Sequence, residues 1–337
     1  MSRAQLTSTV EQNTGGAVAP FVAGKNKIIN GDFGVWQRGT SFSLSNGVNF
    51  TADRWIGYQN AATNTVSQQA FTPGTAPVAG YESAYFWRWS QTGSGTSTQE
   101  IQQKIEDVRT FAGQTVTLSF WAKASSAVPF TGIYLVQNFG TGGSSSVTAV
   151  NFGASSNLTT SWVRYTFTGT VASIAGKTLG AGNNLYLALQ FSSANTVNID
   201  LWGVQLEAGS VATPFTTATG TLSGELAACQ RYYWRAGGDN AYQYFAIGTS
   251  TSSTQAAIFV QNPVTMRTAP TSIDYSTLGI SEASGSVISV SSVTFDQAGR
   301  YASDIYAAVS SGLTQYRVER LLANGSTSAY LGFSAEL

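Results

Sequence analysis

Histidine is missing from all 337 residues. Its absence removes the Ser-His-Asp triad, the Cys-His pair, imidazole general bases and His-ligated metals, since each depends on an imidazole nitrogen. Cysteine is almost missing: Cys229 stands alone, which excludes an intrachain disulfide framework and a thiolate zinc cluster. Its neighbours Leu226, Ala227 and Ala228 point to a buried, inert thiol. Charge is scarce, at 17 basic and 17 acidic residues, or 10% of the chain, against roughly 25% in ordinary soluble proteins. A net charge of zero argues against electrostatic capture of nucleic acid or an anionic membrane, since both depend on clustered Lys and Arg. No apolar run approaches the ~18–20 residues of a membrane span. The N-terminus also lacks the charged-then-apolar layout of a signal peptide. The expectation is a soluble, non-enzymatic protein without a cofactor, made in a cytoplasm.

What the chain has in plenty is glycine, at 35 residues, and aromatics, at 12%, with Ser, Thr, Asn and Gln to keep an uncharged surface wet. Residues 1–24 are polar and then small, and such a stretch cannot by itself offset its ordering entropy. They read as a frayed terminus or as an extended arm that orders against a partner. In the second case Leu6, Val10, Val18 and Phe21 are the attachment residues.

From Lys25 to Thr217 short alternating runs predict strands with one buried face. They include Val116, Leu118 and Phe120; Val163, Tyr165 and Phe167; and Leu185, Leu187, Leu189 and Phe191. Val197, Ile199 and Leu201 share a face, the phase slips at Trp202 and Gly203, and Val204 and Leu206 resume, as a β-bulge would read. Ile101 to Glu106 fits a strand, followed by a short helical turn from Asp107 to Ala112. Clusters of Gly, Ser and Asn at 140–146 and 180–184 read as turns.

Residues 216–221 read as a linker, after which Ser223 can cap a short helix with Glu225 in its first turn. Further strands are expected near 230–235, 256–260, 286–290, 305–309 and 315–321. Pro263 and Pro270 make 262–271 an edge strand or an extended connection. The predicted fold is all-β: an extended arm over 1–24, a jelly-roll sandwich over 25–217, and a second, smaller β-sandwich domain over 218–337.

Three kinds of chemistry were open to these residues. A glycosidase needs two carboxylates at one cleft, yet Glu106 and Asp107 are adjacent and would face opposite ways in a strand, while Asp200 and Glu207 flank the bulge. Calcium could use Asn30-Gly31-Asp32 or Asn198-Ile199-Asp200, but these are also standard turn residues, and no EF-hand pattern supports a structural ion. Glycans stack on exposed aromatic rings, and Trp55, Tyr58, Trp87 and Trp89 are the candidates. Core packing is the competing reading for each.

Several segments together are similar to a known family. The runs KIINGDF at 27–33, VWQRG at 35–39 and TADRW at 51–55 resemble the start of a carbohydrate-binding-module-like jelly roll that recurs in bacteriophage tail fibre and virion surface proteins. AGQTVTLSFWAK at 112–123, WGVQLE at 202–207 and TPF at 213–215 resemble later parts of it. ELAACQRYY at 225–233, Pro263 and MRTAPT at 266–271 resemble the passage into the C-terminal domain of such proteins. The resemblance implies a phage structural protein located in the virion, a homotrimer, attached to another virion protein by its arm and contacting host surface polysaccharide. Within it, Arg54 and Trp55 look like core and turn elements. A capsid decoration protein or head fibre is the alternative, and a polysaccharide depolymerase ranks behind both.

Overall fold

The computed structural model describes residues 24–60, 63–93, 95, 97–194, 196–282 and 286–337. The arm residues Leu6, Val10, Val18 and Phe21 lie outside the described residues. The first twelve strands are β1 (Ser41–Ser43), β2 (Gly47–Phe50), β3 (Trp55–Gln59), β4 (Asn64–Ala70), β5 (Tyr85–Gln91), β6 (Thr98–Glu106), β7 (Thr115–Ala124), β8 (Gly132–Asn138), β9 (Val147–Gly153), β10 (Val163–Thr170), β11 (Asn184–Ser192) and β12 (Val197–Ala208). They form two six-stranded sheets, in the orders β1-β4-β5-β12-β7-β10 and β2-β3-β6-β11-β8-β9.

The alternating runs explain why these sheets face each other. Leu118, Phe120, Ile199 and Leu201 of the first sheet meet Ile101, Leu135, Leu187 and Leu189 of the second in one core. Each such side chain contributes roughly 1.5–3 kcal/mol by leaving water. The first sheet is also covered on its outer face, where Phe71, Phe86, Trp121, Trp202 and Phe215 form a separate aromatic cluster. The β-bulge falls where the phase slipped, with the β12–β7 register shifting between Trp202 and Gln205. It lets Trp202 point outward while Leu201, Val204 and Leu206 point inward. Gly203 sits at φ +65°, and a Cβ there would come within 2.7 Å of the Trp121 ring, so both conformation and space require glycine.

The remaining elements are α1 (Leu222–Gln230), β13 (Tyr233–Gly237), β14 (Tyr244–Ser252), β15 (Gln255–Gln261), β16 (Ser272–Ser276), β17 (Leu278–Glu282), β18 (Ile288–Gln297), β19 (Ala302–Val309), β20 (Val318–Ala323) and β21 (Tyr330–Ser334). This smaller β region, expected as a sandwich, takes the form of a closed barrel, β14-β15-β19-β18-β17-β20, beside a three-stranded sheet, β13-β21-β16. Closure follows because β14 pairs with β15 on one side and β20 on the other. Register shifts in β14 and β18 supply the curvature. Trp234, Leu331 and Phe333 from the small sheet share a core with Ile258, Ile280, Ile305 and Leu321 of the barrel.

Two local expectations need correction. Residues 107–112 form successive turns with Asp107 and Phe111 at positive φ, so no helical turn forms there. The helix cap is Thr221, whose side chain accepts from the Gly224 amide at 3.0 Å, two residues before the expected Ser223. Glu225 is in the first turn but has a larger task than complementing the dipole. Its buried carboxylate accepts from the Asn30 amide at 2.7 Å and from the amide and hydroxyl of Thr219, joining helix, linker and jelly roll.

Candidate functional site

The three tryptophan candidates are core residues. Trp55, Trp87 and Trp89 are each 0% exposed. Their indole N–H groups donate to the Asn30 carbonyl at 2.9 Å, the Thr51 hydroxyl at 3.2 Å and the Asn64 side chain at 2.9 Å. Strand period explains the correction: on β5, Trp87 and Trp89 occupy the inward phase, and Arg88 between them points out to Asp200. None of these rings has a face for a sugar. Tyr58 is different, being half-buried on the outer face of β3 with Glu100 as its cross-strand partner.

That outer face of the second sheet is where polar and aromatic side chains converge. Inward positions of β6, β11 and β8 are Ile101 and Ile105; Leu185, Leu187 and Leu189; and Ile133 and Leu135, so the intervening residues must face out. In register across the strands lie Tyr58, Glu100 and Gln190; then Gln102, Ala188 and Tyr134; then Lys104, Tyr186 and Val136. A concavity of about 410 Å³ opens over this face, lined by Glu100, Tyr134, Val136, Thr148, Tyr186 and Gln190 among others. Ala188, small and buried, leaves its floor low between the two tyrosines.

Local packing sets each group. A Cβ on Gly132 would come within 2.7 Å of Tyr134 Cζ, so the Tyr134 ring lies over a bare stretch of backbone. Glu100 accepts from the Gln102 amide and from Gln190 Nε2 at 2.6 Å, which holds both side chains to the sheet. Burial, and then the Glu100 charge, push the Tyr186 hydroxyl up from its ordinary pKa. Lys104 closes one end of the face: its ammonium donates to the main-chain oxygen of Leu337 at 2.6 Å. Burial, and then the nearby Arg54 charge, lower its pKa.

Elsewhere the sequence candidates serve the fold. Asn30, at φ 56°, donates to the Val35 and Asp53 carbonyls and accepts from the Val35 amide. Asp32 accepts from the Tyr81 hydroxyl, and burial followed by the Glu225 charge raises its pKa. Asp200 is held by Arg88 at 2.6 and 2.7 Å. Glu106, one of the carboxylates weighed above, accepts from Arg231 at 2.9 Å and from the Tyr232 hydroxyl at 3.0 Å. Among the described residues no three acidic or cysteine side chains gather as a metal site. Cys229 is fully buried, and burial pushes its thiol well up.

The sequence signal for this face lies in the phase of Tyr134, Tyr186 and Glu100. Each falls out of step with the Ile and Leu residues beside it, and that offset marks a solvent-facing position.

No family model and no curated protein matches the chain. Among solved structures it is similar to a CBM4 structure, at 21% identity and TM-score 0.33, covering 53% of this chain and 98% of that one. It is similar to the CBM22-1 xylan-binding domain of Xyn10C from Paenibacillus barcinonensis, at 15% identity and TM-score 0.32, over 57% and 99% of the two chains. It is also similar to a Stig cyclase from Fischerella sp. TAU, at 16% identity and TM-score 0.35, over 57% and 100%.

Proposed function

We propose that this chain is a non-catalytic glycan-binding protein of the bacteriophage tail-fibre type, whose second-sheet face holds host surface polysaccharide. The observation that carries the glycan reading is the outward set of Tyr58, Tyr134 and Tyr186 around Glu100 and Gln190 over a shallow concavity. Flat rings supply apolar contact to pyranose faces, and fixed amide and carboxylate groups meet the hydroxyls. In this reading residues 1–24 attach the protein to another virion protein. The chain acts as a homotrimer, so that weak single-site binding gains from avidity. An exposed apolar strip on the barrel supports self-association: Ile247 and Phe259 are cross-strand partners, 61% and 60% exposed, with Tyr244 and Val318 nearby.

The experiment is binding of the full chain to candidate host cells and to a panel of their purified surface polysaccharides. Wild type is expected to bind, and Tyr134→Ala and Tyr186→Ala to bind at least about tenfold more weakly at unchanged melting temperature. Wild-type binding that both variants retain would move the site elsewhere. No binding to any strain or polymer would end the glycan reading.

A further inference from the structure

We infer that the second-sheet face selects glycans carrying free amino groups and rejects acidic ones; this inference rests on the glycan-binding reading of that face. Glu100 is the pivot. It is the one charged side chain among the described residues lining the concavity. Its two oxygens each accept from an amide, one of Gln102 and one of Gln190. A carboxylate only accepts, so both amides must turn their NH2 groups toward it, which leaves their carbonyl oxygens for a ligand. The middle of the face therefore offers acceptors: a carboxylate and two amide carbonyls within one turn of the pleat.

Among the described residues no Lys or Arg lines the concavity to balance them. Lys104 is nearest in register, beside Tyr186, and its ammonium is held away from the middle of the face by the main-chain oxygen of Leu337 at 2.6 Å. Arg54 behind it is 2% exposed and paired with Glu336. An approaching hydroxyl gives such a cluster one proton and no charge. A protonated amine gives three donors and the opposite charge, whereas a carboxylate, sulfate or phosphate brings acceptors and the same charge. Tyr58 is the cross-strand partner of Glu100, and Tyr134 faces it from β8 across the same concavity, so a sugar ring lying on either brings a ring substituent toward it.

Calorimetric titration of the full chain tests this with three oligosaccharides of equal length, at pH 6 and low salt: β-1,4-linked glucosamine, its N-acetylated form, and galacturonate. The amine form is expected to bind about tenfold more tightly than the acetylated form, the usual margin of a charge-assisted over a neutral hydrogen bond. That margin should shrink as salt is added. Galacturonate should not bind. Glu100→Gln should bring the first two ligands to within about twofold of one another. Equal affinities for amine and acetyl forms in wild type, binding of galacturonate, or a margin that survives in Glu100→Gln would each overturn the inference. If Tyr134→Ala still abolishes binding in those cases, glycan recognition at this face stands and only the charge preference falls. If no oligosaccharide binds and the host polymers of the preceding experiment are also ignored, both fall together.

Discussion

Arg54 and Glu336 stand 282 positions apart in the chain and form a buried ion pair, their side chains 2% and 5% exposed. Around them Arg54 lies 3.5 Å over the Tyr232 ring and donates to the Lys104 carbonyl. Arg38 reaches the same carboxylate at 3.3 Å and stacks 3.5 Å over Tyr233. This junction fastens the jelly roll to the segment that follows α1 and to the residues that follow β21. Removing one partner leaves the other charge buried without compensation. Glu336→Ala is therefore expected to lower unfolding free energy by about 3–5 kcal/mol in denaturant titrations. A loss below ~1 kcal/mol would mean that water reaches Arg54 when its partner is gone.

Trp89 and Tyr186 should separate the core from the proposed binding face. Trp89→Ala is expected to cost about 3–5 kcal/mol, the range for emptying a large aromatic site. Tyr186→Ala should leave the melting temperature nearly unchanged while weakening glycan binding. Thermal unfolding beside a binding assay reads both effects, and a Trp89→Ala protein of normal stability would contradict its place in the core.

The barrel carries a like-charged pair. Glu282 and Glu319 are register partners on β17 and β20, and Glu319 is fully buried with the Ser250 hydroxyl donating to it at 2.6 Å. Burial first, and then Glu282, raise the Glu319 pKa from its ordinary 4.5. The native state then binds more protons than the unfolded one between that value and the raised one. Stability contributed by protonated Glu319 is present below pH 4.5 and is lost as pH rises through the folded value. Glu319→Gln keeps the Ser250 contact and removes the charge, so it is expected to raise the neutral-pH denaturation midpoint and flatten this part of the pH profile. An unchanged midpoint at neutral pH would argue that Glu319 is solvated there.

Self-association is addressed by Ile247→Asp with Phe259→Asp. Each replaces an exposed apolar side chain on the barrel strip, so neither should disturb folding. Light scattering is expected to give three times the chain mass for wild type and one chain for the double variant. A wild-type protein that is monomeric at micromolar concentration would remove the trimer from the proposal.

Much of the strand pattern was legible because its cause is local. Leu185, Leu187 and Leu189 alternate, and alternation alone places them inward; the slip at Trp202 and Gly203 marks the bulge for the same reason. Barrel closure was not legible, because it depends on β14 meeting β20 across some seventy residues, and no short-range pattern encodes that pairing. The site was half legible. Tyr58, one of the expected residues, lies on the outer face beside Glu100, but the phase of Trp87 and Trp89 on β5 already put them inside. Tyr134 and Tyr186 needed the opposite reading, an aromatic out of step with its aliphatic neighbours.

The bulge in β12 has a consequence for motion. On this one strand Leu201 and Val204 belong to the inner core, while Trp202 between them belongs to the aromatic layer on the other side of the sheet. Neither layer can loosen without dragging the strand that the other layer grips. The inner core and the outer aromatic layer should therefore open as one cooperative unit. The amides of β12 that bond across to β5 and β7 should be among the slowest in the jelly roll to exchange with solvent deuterium.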